Sequence, residues 1–150
     1  MTIPANSRVI AHVSRVFPYT AERVFDAWLD PERARRWLFA TPAGEMVRAE
    51  IDPRVGGQFI FTDRRDGKDV EHTGEYLEID RPRRLVFTFA VSGVDGPPDL
   101  VHIDIAPLSN GCELTLKHEM RAEYAEYQGR TEKGWTTILD SLEAALGSVE

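Results

Sequence analysis

Cysteine is almost missing from this sequence: Cys112 stands alone among 150 residues. No internal disulfide is possible, and a lone thiol inside a strand pattern reads as a small core residue rather than a nucleophile. Long apolar runs are missing as well. The longest are far too short to span a bilayer as a helix, so no membrane insertion is expected. Basic charge is not in excess: 18 Lys and Arg against 25 Asp and Glu give a formal net charge of −7. A nucleic-acid surface needs clustered Lys and Arg, and the groups Arg33-Arg35-Arg36 and Arg81-Arg83-Arg84 are diluted by neighbouring acids. They read as solvated faces, and no nucleic-acid partner is expected. Residues Met1 to Ser7 contain neither a basic segment followed by an apolar core nor a small-residue cleavage site. A cytoplasmic location is therefore the expectation.

Catalytic signatures are the next absence. The chain has no G-x-S-x-G, no G-x-x-x-x-G-K-[ST], no G-x-G-x-x-G and no C-x-x-C. His118-Glu119 begins like a zinc-protease helix, but the position four residues on is Ala122, so the second ligand is missing. His12, His72, His102 and His118 have no metal-ligand spacing, and no metal or cofactor is expected. Gly56 and Gly57 precede a strand rather than a helix whose N-terminal amides would receive a phosphate.

What is present divides cleanly. RVIAHVSRVF, residues 8 to 17, alternates and is rich in Val, suiting a half-buried strand that Pro18 stops. In TAERVFDAWLD, Thr20 is placed to cap a short helix whose apolar residues Ala21, Val24, Phe25, Trp28 and Leu29 recur at helical spacing. Asp30-Pro31 repeats the start signal and opens a second short helix through Trp37. From residue 45 to 120 the period is two. Strands are predicted over 45–52, 57–64, 69–79, 84–91, 100–107 and 112–120, with Asp66-Gly67 and Asn110-Gly111 as hairpin turns. Beyond Met120 the helical period returns. Thr131 is the expected cap of a long helix with Trp135, Ile138, Leu139, Leu142, Ala145, Leu146 and Val149 along one face.

This order predicts a single α+β domain over residues 1–150, in which a seven-stranded antiparallel sheet curves around the C-terminal helix. One helix is too narrow to cover such a sheet, so a cavity between them is expected.

Turn lengths set which residues share the inner face. A two-residue turn at Asp66-Gly67 puts Phe61 opposite His72, Phe59 opposite Gly74 and Gly57 opposite Tyr76. A four-residue loop from Asp80 to Arg83 pairs Ile79 with Arg84, which sets Tyr76 opposite Phe87 and Gly74 opposite Phe89. Both registers place Phe59, Phe61, His72, Tyr76, Phe87 and Phe89 on one face. Gly74 leaves room between rings, and Gly57 leaves room beside the Tyr76 phenol. A turn at Asn110-Gly111 pairs Ser109 with Cys112 and sets Leu116 opposite Ile105, His118 opposite Ile103 and Met120 opposite Val101, so that His118 points in while His102 and Asp104 point out. A buried imidazole or phenol needs a hydrogen-bond partner. His72, Tyr76 and His118 either satisfy each other or line a cavity and address a ligand. The expected pocket wall is Phe59, Phe61, His72, Tyr76, Phe87, Phe89, His118 and Trp135, shaped by Gly57 and Gly74.

PYTAERVFDAWLDPERARRW, IDPRVGGQF, GEYLEIDRPRRLVFTF and EKGWTTILDSLEAAL, in that order, resemble the activator of heat-shock-protein-ninety ATPase homologue family of the START-like (SRPBCC) superfamily. The resemblance runs from about residue 9 to 147. It implies the helix-grip fold with an internal hydrophobic pocket that the two short helices close at one end. It offers three functions: a carrier of an apolar or aromatic small molecule, a cyclase- or hydratase-like enzyme using the same pocket through His118 or Tyr76, and a chaperone-associated module. Either a monomer or a homodimer is compatible with it.

Overall fold

The computed structural model describes residues 8–39, 44–94 and 97–147. Strand β1 (Arg8–Phe17) leads into helix α1 (Ala21–Leu29), where the Thr20 side chain accepts from the Arg23 amide. Asp30 ends α1 and starts α2 (Pro31–Ala34), its carboxylate accepting from the Glu32 amide at 3.0 Å with Pro31 at the first position. The expected extension of α2 to Trp37 is corrected to a single turn. Beyond Ala34 only turn-like bonds continue, Trp37 and Leu38 both donating to the Ala34 carbonyl. Their side chains drop into the core instead of following a helical face.

Six strands follow: β2 (Glu45–Ile51), β3 (Gln58–Arg65), β4 (Lys68–Asp80), β5 (Arg84–Val91), β6 (Asp99–Leu108) and β7 (Gly111–Arg121). A 3₁₀ turn over Ala122–Tyr127 then runs directly into α3 (Gln128–Gly147). Thr131 lies inside α3 rather than capping it, because the helix grows from the preceding turn. Trp135, Leu139, Leu142 and Leu146 are buried along its inner stripe, with Ile138 and Ala145 partly buried beside them; Val149 falls outside the described residues.

All pairings are antiparallel, in the order β1-β7-β6-β5-β4-β3-β2. The sheet is thus a meander whose first strand returns to the last, and the two short helices carry the chain from one edge to the other. Helix α3 crosses the inner face and is tied to β1 by Arg15, which bonds both Glu143 and Asp140, and by Glu132, which accepts from the His12 amide.

The registers test the turn chemistry one hairpin at a time. Asp66 and Gly67 have φ of 51° and 78°, the left-handed conformations that a two-residue hairpin turn demands, and Arg65 pairs with Lys68 as expected. Phe61 faces His72 and Phe59 faces Gly74. At the next hairpin the loop is three residues, with Asp80 paired to Arg84 and Ile79 to Leu85. The expected pairing of Ile79 with Arg84 is therefore off by one. A bulge between Tyr76 and Glu78 removes that offset, so Tyr76 still faces Phe87. At the last hairpin the expected register is off by two: Leu108 pairs with Gly111, Ile105 with Leu114, Ile103 with Leu116 and Val101 with His118. Gly111 has φ of 159°, which is extended backbone, so it belongs to the strand rather than the turn. A Cβ there would lie 2.1 Å from the Phe17 carbonyl oxygen, and close approach of β1 is what requires glycine. A slip of two keeps every side chain on its face. Val101, Ile103, Ile105, Leu114, Leu116 and His118 are buried as expected, while His102 lies on the outer face between Arg84 and Glu119.

Candidate functional site

A cavity of about 940 Å³ opens between the first half of α3 and one end of the sheet. Thr131, Trp135 and Ile138 form its roof, and Tyr124 and Tyr127 of the 3₁₀ turn stand at one side. Phe89, Val91, His118 and Met120 come from the ends of β5 and β7, with Pro97, Pro98 and Asp99 at the start of β6. Phe39, Arg65 and His72 close the inner end.

Of the residues expected to line a pocket, His72, Phe89, His118 and Trp135 are on this wall. Phe59, Phe61, Tyr76 and Phe87 are not. They share the inner face, as expected, but pack on one another behind it, with ring centroids of Phe59 at 5.4 Å from Phe87, 5.6 Å from Tyr76 and 6.1 Å from Phe61. The reason is Phe39. Its ring stacks on His72 at 4.5 Å with an interplanar angle of 3° and on Phe89 at 5.1 Å, while its other contacts reach Phe59, Phe61 and Trp135. Phe39 thus stands between the cavity and the aromatic core. Its φ of 61° is uncommon for an aromatic residue and is held by these contacts and by Arg65, whose Nη2 donates to the Phe39 carbonyl. Sequence periodicity misses Phe39 because it belongs to no element. The available signal is the unbroken apolar run Trp37-Leu38-Phe39 after a very short helix, which no surface loop needs.

The two glycines have separate explanations. At Gly74 a Cβ would meet the Thr88 carbonyl oxygen at 2.0 Å and the Phe59 ring at 2.4 Å, so the absent side chain gives room for a ring, as expected. Gly57 does face Tyr76, its carbonyl accepting from the Tyr76 amide at 2.9 Å. However, a Cβ on Gly57 would meet the Asp52 and Arg54 carbonyl oxygens at 2.2 and 3.0 Å. The tight path between β2 and β3, and not the phenol, is what needs glycine there, and Gly57 does not line the cavity.

The polar groups of the wall have definite hydrogen-bond roles. Trp135 Nε1–H can only donate, and it lies 2.9 Å from His118 Nδ1. Nδ1 is therefore the acceptor and Nε2 carries the proton, which it donates to Asp99 Oδ2 at 2.8 Å. This Asp99–His118–Trp135 chain locks the His118 tautomer and pins α3 to β7. His72 Nδ1 lies 3.2 Å from the Phe61 carbonyl oxygen, which can only accept, so Nδ1 carries the proton and Nε2 is left as an acceptor. Burial pushes the His72 imidazole below its ordinary pKa of 6.5, against the raising effect of the Phe61 carbonyl. Burial likewise pushes the Tyr76 phenol up, with Asp52 adding to it, and pushes up the Cys112 thiol. Both stay protonated at neutral pH.

The His72 shift makes stability depend on pH. Below 6.5 the unfolded chain takes up a proton at this site before the folded chain does, so stability present near neutrality is lost as pH falls toward the lower folded pKa. Thermal unfolding midpoints should fall between about pH 7 and 5, and His72→Gln, which keeps a donor for the Phe61 carbonyl, should flatten that slope. An unchanged slope in the variant would assign the effect to other groups.

Among the described residues no cluster of three or more His, Cys, Asp or Glu side chains is placed to hold a metal ion, and no helix is long and apolar enough to cross a membrane.

Residues 18–147 match the family model described as Activator of Hsp90 ATPase homolog 1-like protein. No curated protein matches the chain in sequence. Among solved structures, a protein of Chromobacterium violaceum is 26% identical with a TM-score of 0.78, over 91% of this chain and 96% of that one. A Staphylococcus aureus protein described as of unknown function has a TM-score of 0.82 at 15% identity, over 95% of each chain. CalU16 from Micromonospora echinospora has a TM-score of 0.72 at 24% identity, over 99% of this chain and 82% of that one. The latter two likenesses concern the fold alone.

Proposed function

The chain belongs to the Activator of Hsp90 ATPase homolog 1-like family, and from that premise we propose that it is a binding protein for an apolar or aromatic small molecule held in the cavity beneath α3. The observation that carries this reading is the cavity itself: about 940 Å³, walled by Phe39, Phe89, Trp135, Ile138 and Met120 with a few fixed polar atoms. Small-molecule sites generally combine an apolar wall of this size with a small number of oriented polar groups. The hydrogen bonds of His118 weigh against using it as a general acid or base, since one ring nitrogen is capped by Trp135 and the other is committed to Asp99.

The reading is tested by titrating a fluorescent apolar dye into the protein and into Ile138→Trp, which places a larger ring in the cavity. One-to-one binding to the parent and a loss of at least tenfold in the variant, at unchanged stability, are expected. Equal affinity for both proteins places the dye elsewhere and removes the reading. The family's name motivates a second reading, a chaperone-associated module acting through its outer surface. Chaperone capture that Ile138→Trp leaves intact favours it.

A further inference from the structure

We propose that this cavity selects a ligand presenting a neutral hydrogen-bond donor, a hydroxyl or an N–H on an aromatic frame, to His72 Nε2 at its inner end, and disfavours carboxylates. The inference rests on the binding reading above and specifies its ligand chemistry.

The inner end is a stack of flat rings. His72 lies against Phe39 at 4.5 Å and 3°, and Phe89 stacks on both at interplanar angles of 20° and 23°. Into this apolar surface the sequence sets one polar atom with a lone pair to offer. His72 Nδ1–H is spent on the Phe61 carbonyl, which leaves Nε2 an acceptor on a ring of the cavity wall. The depressed basicity of the buried imidazole keeps it in that form at neutral pH.

The rest of the wall agrees in sign. His118 has no proton to offer a ligand, because Nε2–H is given to Asp99 and Nδ1 is filled by the Trp135 indole. Asp99 is a carboxylate on the wall whose bond from His118 occupies only Oδ2. Of the two guanidiniums on the wall, Arg65 is ion-paired with Asp63, whereas Arg121 bonds a neutral hydroxyl that lines the same cavity. Arg65 gives Nε to the buried Asp63 and Nη2 to the Phe39 carbonyl, and Arg121 gives Nη2 to the Tyr124 hydroxyl. At the inner end a carboxylate meets the His72 lone pair beside an Arg65 guanidinium already paired with Asp63, whereas a hydroxyl or N–H meets an acceptor. A buried acceptor left unpaired carries a desolvation penalty, which makes the discrimination favour donors over plain hydrocarbons too.

The test uses three probes on one frame, naphthalene, 2-naphthol and 2-naphthoate, titrated calorimetrically at neutral pH. 2-Naphthol should bind about fivefold tighter than naphthalene, the worth of about one net hydrogen bond, and 2-naphthoate should bind weakest. His72→Phe should bring 2-naphthol down to the affinity of naphthalene, with naphthalene itself changed by less than about twofold. Asp99→Asn, which keeps an acceptor for the His118 Nε2–H, should improve 2-naphthoate relative to naphthalene by about fivefold; it serves as the second variant should His72→Phe fail to fold. Tightest binding of 2-naphthoate would overturn the proposal in favour of an anion site at Arg65 or Arg121. Equal binding of naphthalene and 2-naphthol would overturn it while leaving the apolar cavity as a binding site. Failure of all three probes to bind would remove both readings.

Discussion

Gly74→Ala is expected to cost about 3 kcal/mol or more of folding stability, an unusually large effect for adding one methyl group. The methyl would sit 2.0 Å from the Thr88 carbonyl oxygen and 2.4 Å from Cε2 of Phe59. Neither neighbour can yield cheaply. Thr88 is part of β5, and its hydroxyl accepts from the Glu75 amide at 2.9 Å, so moving its backbone pulls apart β4 and β5 where they pair. Phe59 is buried among Phe61, Tyr76 and Phe87, so moving its ring displaces the aromatic core. Urea denaturation should show the loss as a shift of midpoint with little change of slope. A cost below about 1 kcal/mol would mean that β4 does not run beneath the Phe59 ring.

Trp135→Ala should be comparably severe, roughly 3–5 kcal/mol, because it removes a large buried side chain. It also deletes the one indole that joins α3 to the β7 imidazole. Trp135 touches Trp28, Phe39, Phe89 and His118, so its loss loosens the roof of the cavity and the packing behind Phe39 together. Trp135→Phe separates the two contributions. It keeps most of the ring volume but leaves His118 Nδ1 unpaired in a buried position, for which about 1–3 kcal/mol is expected. In the double variant Trp135→Phe, His118→Leu that unpaired atom is gone, and the combined cost should be smaller than the sum of the single costs. Additive costs would show that the indole and imidazole do not interact.

Element order was legible because period and punctuation agreed: Thr20 and Asp30-Pro31 mark helix starts, and the strands keep a period of two from Glu45 to Arg121. The faces of the strands were legible for a more robust reason. A register error of two at the last hairpin does not change which side chains point inward, and the bulge at Leu77 cancels an error of one at the middle hairpin. The dipeptides Asp66-Gly67 and Asn110-Gly111 look alike in sequence but have different causes. The first glycine has a left-handed φ of 78°, and the second is extended and crowded by Phe17. Local propensity reads the first and cannot read the second, since close approach of a strand nearly a hundred residues away leaves no local pattern. Phe39 was illegible on the same principle. Its position is fixed by contacts with β3, β4, β5 and α3, and it stands between the cavity residues His72, Phe89 and Trp135 and the core rings Phe59 and Phe61. Gly57 shows the reverse error: its partner strand was legible, but the demand for glycine comes from the carbonyls of Asp52 and Arg54 in its own turn.

Uptake of a small aromatic molecule beneath α3 should register at the three indole N–H groups of the chain, Trp28, Trp37 and Trp135. Only Trp135 is on the cavity wall. In ¹H–¹⁵N spectra recorded during titration with naphthalene, the Trp135 indole signal should move furthest and saturate with the same Kd as calorimetry, with Trp28 and Trp37 shifting less. A saturable calorimetric Kd with the Trp135 indole unmoved would place the ligand outside the space beneath α3.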